Sequence, residues 1–223
     1  MTLNKEQVFP GIWVYKNIIK PDIINIVEKH IADHSDSNWQ EALVGYAQKI
    51  PEYRDCVDFK ICEWPDMPNM PESRKKLNEI WKYAYDQQIP AVEDYCTYYS
   101  IKMEYWEAMN FVKYGPGQHF QEHADHGFSY YATVSLVSYP NDDYEGGELY
   151  FPKLGVTIKP EAGDTVIFPS TYLFSHRAMP VKSGIKYSIV TMLDYNDNAH
   201  NPDFDILRAK RQGITVPGEV QQY

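Results

Sequence analysis

Cysteine is scarce. The 223-residue chain has three, Cys56, Cys62 and Cys96, and no Cys-x-x-Cys pair among them. An odd number leaves one thiol over in any intramolecular pairing, so a disulfide framework is not expected and a reducing compartment is. Basic charge is also short, with 21 Lys and Arg against 31 Asp and Glu and a formal net charge of −10. Such a surface repels polyanions. The densest basic stretches, Arg74-Lys75-Lys76 and Arg208-Ala209-Lys210-Arg211, are short enough to be solvated helix faces. The balance argues against a nucleic-acid or membrane partner. No apolar run approaches the length needed to span a bilayer, and Met1 to Gln7 lacks the apolar stretch of a secretory signal. The expectation is a soluble, cytoplasmic protein of one domain, since this length suffices for one buried core and is short for two.

Apolar periodicity divides the chain into a helical first part and a β-rich second part. Gly11 to Tyr15 reads as a short strand, and Pro21 can open a helix to Ala32 with Ile23, Val27 and Ile31 on one face. After Pro71, the spacing of Leu77, Ile80, Trp81 and Ala84 predicts a second helix, which Pro90 should break or kink before a further turn towards Tyr99. The proline-rich stretch from Cys62 to Pro71 reads as a surface connection, with a substrate-covering loop as the alternative. Beyond Ile101 the best strand candidates are Trp106 to Tyr114, Tyr130 to Tyr139, Glu148 to Phe151, Thr165 to Phe168 and Lys186 to Leu193. Turn residues such as Gly115-Pro116-Gly117, Gly146-Gly147 and Lys182-Ser183-Gly184 separate them. The expected architecture is an antiparallel sandwich or barrel with helices on one outer face. Residues 1–100 would be the helical support, 101–195 the β-rich core, and 196–223 a polar tail with a helical turn around Ile206 and Leu207.

Chemistry concentrates in that core. On an extended strand, positions two apart project to the same side, so His123 and Asp125 can reach one metal while Ala124 points away. His119 and His126 are local rivals. A His119/His123 pair would suit zinc on a helix, but Gly115-Pro116-Gly117 is a poor helix start, and both rivals are left as solvent-facing or adjoining residues. His30, His34 and His200 lie outside the β-rich region. His176 is the third candidate ligand, because it begins a run that turns at Lys182-Ser183-Gly184 and should place Lys186 on the next strand. Two imidazoles and one carboxylate on one face of a metal leave open cis positions, the arrangement of non-haem Fe(II) oxygenases. Lys186 shares a face with Ser188 and Val190 in an otherwise apolar strand, and an inward lysine needs an anionic partner; the carboxylate of a small acid would serve. Tyr114, on one face with Asn110 and Val112, could aim its phenol at the same carboxylate.

Taken together, Tyr114-Gly115-Pro116-Gly117-Gln118, His123-Ala124-Asp125, Glu145-Gly146-Gly147-Glu148-Leu149, and His176 through Gly184-Ile185-Lys186-Tyr187-Ser188 resemble the Fe(II)/2-oxoglutarate-dependent dioxygenases. The likeness is greatest to their prolyl 4-hydroxylase-like branch and covers roughly the second half of the chain. It implies a double-stranded β-helix, the jelly-roll core shared with cupins. It also implies Fe(II) held by His123, Asp125 and His176, and 2-oxoglutarate held by Lys186 and Tyr114. Dioxygen would be the second co-substrate and ascorbate an accessory reductant. The implied reaction is hydroxylation of an unactivated C–H bond with release of succinate and carbon dioxide, the first expected substrate being a proline in a peptide or protein gripped by the Trp64 loop and by Tyr130 or Tyr131. A free amino acid or other small metabolite is the alternative substrate, and a metal-binding cupin-like module without turnover the alternative from another class. Two departures stand out. Leu149 occupies a position where the prolyl branch often has threonine for the co-substrate, and Met192-Leu193 replaces a tryptophan common late in the last strand. Gly163-Asp164 fits a turn before a core strand and is expected to be structural.

Overall fold

The structure, a computed structural model, describes residues 2–45, 47–65, 67–127 and 131–196. In the first hundred residues it has strands β1 (Lys5–Phe9), β2 (Ile12–Tyr15), β3 (Gln40–Glu41), β4 (Arg54–Asp55) and β5 (Val57–Ile61), with helices α1 (Ile23–Asp33) and α2 (Glu72–Tyr99). Then follow β6 (Tyr105–Trp106), β7 (Met109–Tyr114), β8 (His119–His123), β9 (Val134–Ser138), β10 (Glu145–Gly146), β11 (Leu149–Phe151), β12 (Val156–Ile158) and β13 (Thr165–Pro169). A 3₁₀ turn (Tyr172–Phe174), β14 (His176–Ala178), β15 (Val181–Ser183) and β16 (Lys186–Asp194) complete the described chain. The tail beyond residue 196, His200 and Tyr130 lie outside the described residues.

Two antiparallel sheets face each other as a double-stranded β-helix. The larger runs β1-β2-β13-β9-β16-β7-β5-β3, with β6 also on β16, and the smaller runs β12-β11-β14-β8-β4; β10 and β15 form a separate pair. Because side chains alternate along a strand, each strand of the larger sheet feeds two different cores. Met109 and Phe111 of β7, with Tyr187 and Ile189 of β16, turn outwards against Ile23 and Val27 of α1 and Ile80 and Ala84 of α2. Tyr15, Leu136 and Ile167 meet Ala91, Val92 and Tyr95 further along α2. Both helices therefore cover the outer face of the larger sheet, and the opposite face is left to line the interior.

Several elements differ from the sequence reading, for identifiable reasons. Helix α2 runs through Pro90 without a break. Pro90 and Asp86, whose carbonyl the missing N–H would have met, are both exposed, so water can satisfy that carbonyl while Ala84, Ala91 and Val92 hold the helix to the sheet. The helix ends at Ser100 in the left-handed conformation, with the Ile101 amide donating to the Cys96 carbonyl. The first hundred residues supply strands to both sheets as well as the two helices, because short edge strands such as β3 and β4 carry too few residues to show a period. The strand expected from Tyr130 begins only at Val134, and the one expected from Trp106 is split into β6 and β7.

One phenol fastens the N-terminal hairpin to α2. The Tyr99 hydroxyl oxygen accepts from the Gly11 amide (2.9 Å), Trp13 Nε1 (3.1 Å) and Gln7 Nε2 (3.0 Å). Tyr99→Phe removes that acceptor and is expected to destabilise the fold by about 1–2 kcal/mol, read as a lowered urea midpoint with an unchanged m-value.

Candidate active site

The two sheets enclose a cavity of about 90 Å³. Asn110, Val112 and Tyr114 of β7 and Lys186, Ser188, Val190 and Met192 of β16 form one wall, the faces that the alternation predicts. Phe120 and His123 of β8, His176 and Ala178 of β14, and Leu149 of β11 form the opposite wall.

His123, Asp125 and His176 come together at one end, each offering a ligand atom within 4.8 Å of the others. His176 and His123 are direct cross-strand partners on β14 and β8, with ring centroids 4.4 Å apart. Asp125 is not on the strand with His123, contrary to the sequence reading: β8 ends at His123, and Asp125 sits in the bend that follows. Its carboxylate oxygens lie 3.5 Å from His123 Nε2 and 3.7 Å from His176 Nε2. Each imidazole has its other nitrogen engaged. His123 Nδ1 lies 2.9 Å from the Gln121 carbonyl and His176 Nδ1 3.1 Å from the Phe174 carbonyl. A carbonyl can only accept, so both Nδ1 atoms carry hydrogen, and both Nε2 atoms face Asp125.

Burial pushes the Asp125 carboxyl up, but the two imidazoles and the Ser135 hydroxyl outweigh it and hold it well below the usual carboxylate range. Burial lowers His176 to about 4, so its imidazole is neutral at pH 7. Two imidazoles and a carboxylate, largely shielded from water, form a nitrogen and oxygen donor set that suits a divalent transition metal such as Fe(II). His119 and His126 take no part: His119 bonds the Gly117 and Glu52 carbonyls, and His126 bonds the Ala132 carbonyl.

At the other end of the cavity Lys186 is 2% exposed. Its Nζ donates to the Gly147 carbonyl at 2.6 Å and lies 5.3 Å from the centroids of both Tyr114 and Tyr139. Gly147 has φ +67°, and a Cβ there would come within 2.9 Å of the lysine stem, so only glycine lets the main chain approach so closely. No carboxylate among the described residues forms an ion pair with Lys186, and burial lowers its pKa to about 8. The sequence reading placed Lys186 on the strand beside His176. The structure separates them: β14 belongs to the smaller sheet, β16 to the larger, and β15 pairs with β10 instead of β16. The turn at Gly184 (φ +81°) thus carries the chain across the barrel, and the two residues meet through the cavity.

Other cavity residues escaped the sequence reading. Arg54 enters from β4, stacks over Phe120 (4.9 Å) and donates to the Leu43 carbonyl and to Asp58, while its Nε is buried without a partner. Phe120 in turn lies flat on His123, with centroids 3.6 Å apart. Arg54 is far in sequence from the β-rich half, and no local pattern marks it. The Trp64 loop lies elsewhere. Its main chain is clasped by Asn78 and its indole covered by Arg74, and Trp64 does not line the cavity. Asp164 is structural, accepting from Lys16 and from the Glu161 amide. Among the described residues no helix is long and apolar enough to cross a membrane.

Residues 109–193 match the 2OG-Fe(II) oxygenase superfamily. A relative from Acanthamoeba polyphaga mimivirus named "Putative prolyl 4-hydroxylase" is 28% identical over 162 residues, which cover 62% of this chain and 66% of that protein. The chain spans less of the other curated relatives it matches. Among solved structures, a prolyl hydroxylase from Trichoplax adhaerens, in complex with a hypoxia inducible factor oxygen degradation domain peptide fragment, aligns with a TM-score of 0.65 at 14% identity, over 88% of this chain and 86% of that one. A Pseudomonas putida prolyl-4-hydroxylase aligns with a TM-score of 0.56 at 19% identity, over 83% and 93% of the two chains. At these identities the structural likeness speaks for the fold.

The buried lysine has a measurable consequence. Unfolded, it titrates at its ordinary 10.5; folded, at about 8, so between those values the unfolded chain binds more protons and stability rises with pH. Below pH 8 the buried ammonium is fully destabilising. The expected gain between pH 8 and about 10 is up to about 3 kcal/mol, and comparing urea unfolding of the parent with Lys186→Met, which lacks it, isolates the effect.

Proposed function

We propose, from the match of residues 109–193 to the 2OG-Fe(II) oxygenase superfamily, that this chain hydroxylates a proline in a peptide or protein, with 2-oxoglutarate as co-substrate. The observation that carries the reading is a single cavity with a two-histidine, one-carboxylate cluster at one end and a buried lysine without a carboxylate partner, among the described residues, at the other. A dicarboxylate is the ligand that satisfies both ends. One end chelates the metal and the other meets the ammonium.

His123, Asp125 and His176 would hold Fe(II). When bound, Fe(II) together with 2-oxoglutarate and dioxygen supplies an oxidant that takes hydrogen from a substrate carbon and returns hydroxyl, leaving succinate and carbon dioxide. The chain's own work is positioning and exclusion of water. Lys186 Nζ binds the distal carboxylate by a charge-assisted hydrogen bond, and Tyr114, directly opposite it on β7, adds its hydroxyl. Burial raises the Tyr114 phenol well above its ordinary value, so it stays protonated and able to donate. Val112, Leu149 and Val190 are among the apolar residues of the lining and would keep the co-substrate's methylene carbons from water. With Leu149 in place of a hydroxyl residue, Lys186 and Tyr114 carry the distal carboxylate between them. Ascorbate belongs to the proposal as accessory reductant.

A second substrate class has one observation in its favour. The guanidinium of Arg54 lines the cavity with Nε unpartnered, and it could take the carboxylate of a free amino acid or similar small acid.

The test is incubation with Fe(II), 2-oxoglutarate and a panel of proline-containing peptides and free amino acids, followed by mass spectrometry. Succinate formation coupled to one added oxygen on a peptide is expected. His123→Ala and His176→Ala should abolish it, and Lys186→Ala should weaken 2-oxoglutarate binding by about ten- to a hundredfold while sparing metal binding. Oxygen added only to a free amino acid would move the assignment to the small-acid class, and metal binding without turnover on any substrate would overturn the enzyme reading.

A further inference from the structure

We infer that Ser170 and Ser135 form a directed chain of two hydroxyls that sets the orientation of the Asp125 carboxylate, making both serines positioning residues for the metal centre. The inference rests on the reading that the His123, Asp125 and His176 cluster holds a metal.

Ser135 Oγ lies 2.6 Å from Asp125 Oδ2 and 2.7 Å from Ser170 Oγ. Ser135 is 0% exposed and Ser170 1%, so water does not compete for either hydroxyl. A serine hydroxyl has one hydrogen, and the ionised carboxylate can only accept. Ser135 therefore commits its hydrogen to Asp125, and the contact between the serines must have Ser170 as donor. Each hydroxyl polarises the next towards the carboxylate, strengthening the terminal hydrogen bond. The capture of Oδ2 leaves Oδ1 as the oxygen turned to His123 Nε2, 3.5 Å away.

Asp125 needs such a device because of where it sits. β8 ends two residues earlier, so no sheet ladder fixes the main chain at this ligand as it does at His123 and His176. Ser170 supplies the missing restraint with its backbone too. Its carbonyl accepts from the His126 amide at 2.9 Å, and its own amide donates to the Thr133 carbonyl at 3.0 Å. One residue just after β13 thus holds the loop after Asp125 by its main chain and, through Ser135, the carboxylate by its side chain. Ser138 provides an internal comparison. It lies on the same strand as Ser135 and is equally buried, but its hydroxyl bonds Gln88 and Thr165, away from the cluster.

The test titrates the chain with Co(II), a spectroscopic stand-in for Fe(II), in the absence of 2-oxoglutarate. Partners of this kind typically contribute about tenfold or more to metal affinity, so Ser135→Ala should weaken Co(II) by that factor and change the visible absorption of the bound ion. Ser170→Ala should weaken it less, and the double variant should be no worse than Ser135→Ala alone, because Ser170 acts through Ser135. Ser138→Ala should bind like the parent. Unchanged affinity and spectrum in Ser135→Ala, or an equal loss in Ser138→Ala, would overturn the chain of hydroxyls while leaving the metal site standing. If Ser135→Ala does not fold, Ser170→Ala decides by the same two readouts. A parent that binds Co(II) no better than its His123→Ala variant would remove the metal reading itself and this inference with it.

Discussion

The register of β14 on β8 is the constraint on which the rest depends. With His176 opposite His123, both imidazoles face the interior; a slip of one residue would turn each to the other side of the sheet. Little in these two strands alone enforces that register, since β14 has three residues and β8 five. What fixes it is the surroundings. Phe151 and Phe168 pack around the His176 ring and Phe120 lies against the ring of His123, so the slipped pairing would expose aromatic surface and bury exposed polar side chains such as Glu122.

The cavity owes its character to two ionisable groups held away from water at its opposite ends. Asp125 faces two imidazoles and accepts from the Ser135 hydroxyl, partners already present in the fold. Among the described residues Lys186 donates to the Gly147 carbonyl and lies beside two aromatic rings, with the Glu148 charge acting on it without an ion pair, and these stabilise an ammonium less than a paired carboxylate would. The first group is poised for a cation and the second for an anion. A bifunctional ligand with a chelating end and an acid end answers both, and the apolar lining between them excludes water from its middle.

Legibility in the sequence followed the strength of local pattern. The inward faces of β7 and β16 were readable because both strands alternate over several residues, and the turn residues at 115–117 and 184 lie just beyond the end of β7 and just before the start of β16. Pro90 misled because a local rule was applied where Asp86 and Pro90 lie on the exposed side of α2 and packing of the opposite side holds the helix to the sheet. The hairpin between His176 and Lys186 misled for a different reason. Its turn residues were read correctly, but a turn does not say which sheet receives the returning strand, and here β15 chose β10. Ser135 carried a usable signal, a hydroxyl inside the apolar run Val134-Ser135-Leu136-Val137, where a buried polar group must have a partner. Arg54 and Ser170 carried none, because each reaches the site only through long-range pairing.

By itself the sequence determined the class of fold, the identity of the three candidate ligands, and the lysine and tyrosine that face them, because periodicity and turn chemistry are local and the side chains' donor properties are intrinsic. The tertiary structure alone decided that Lys186 meets His176 across the barrel, that Asp125 stands in a bend held by serines, and that Arg54 enters from the first hundred residues. Those depend on which strand edges pair and on how closely the two sheets approach, and both are settled only when the whole core packs at once.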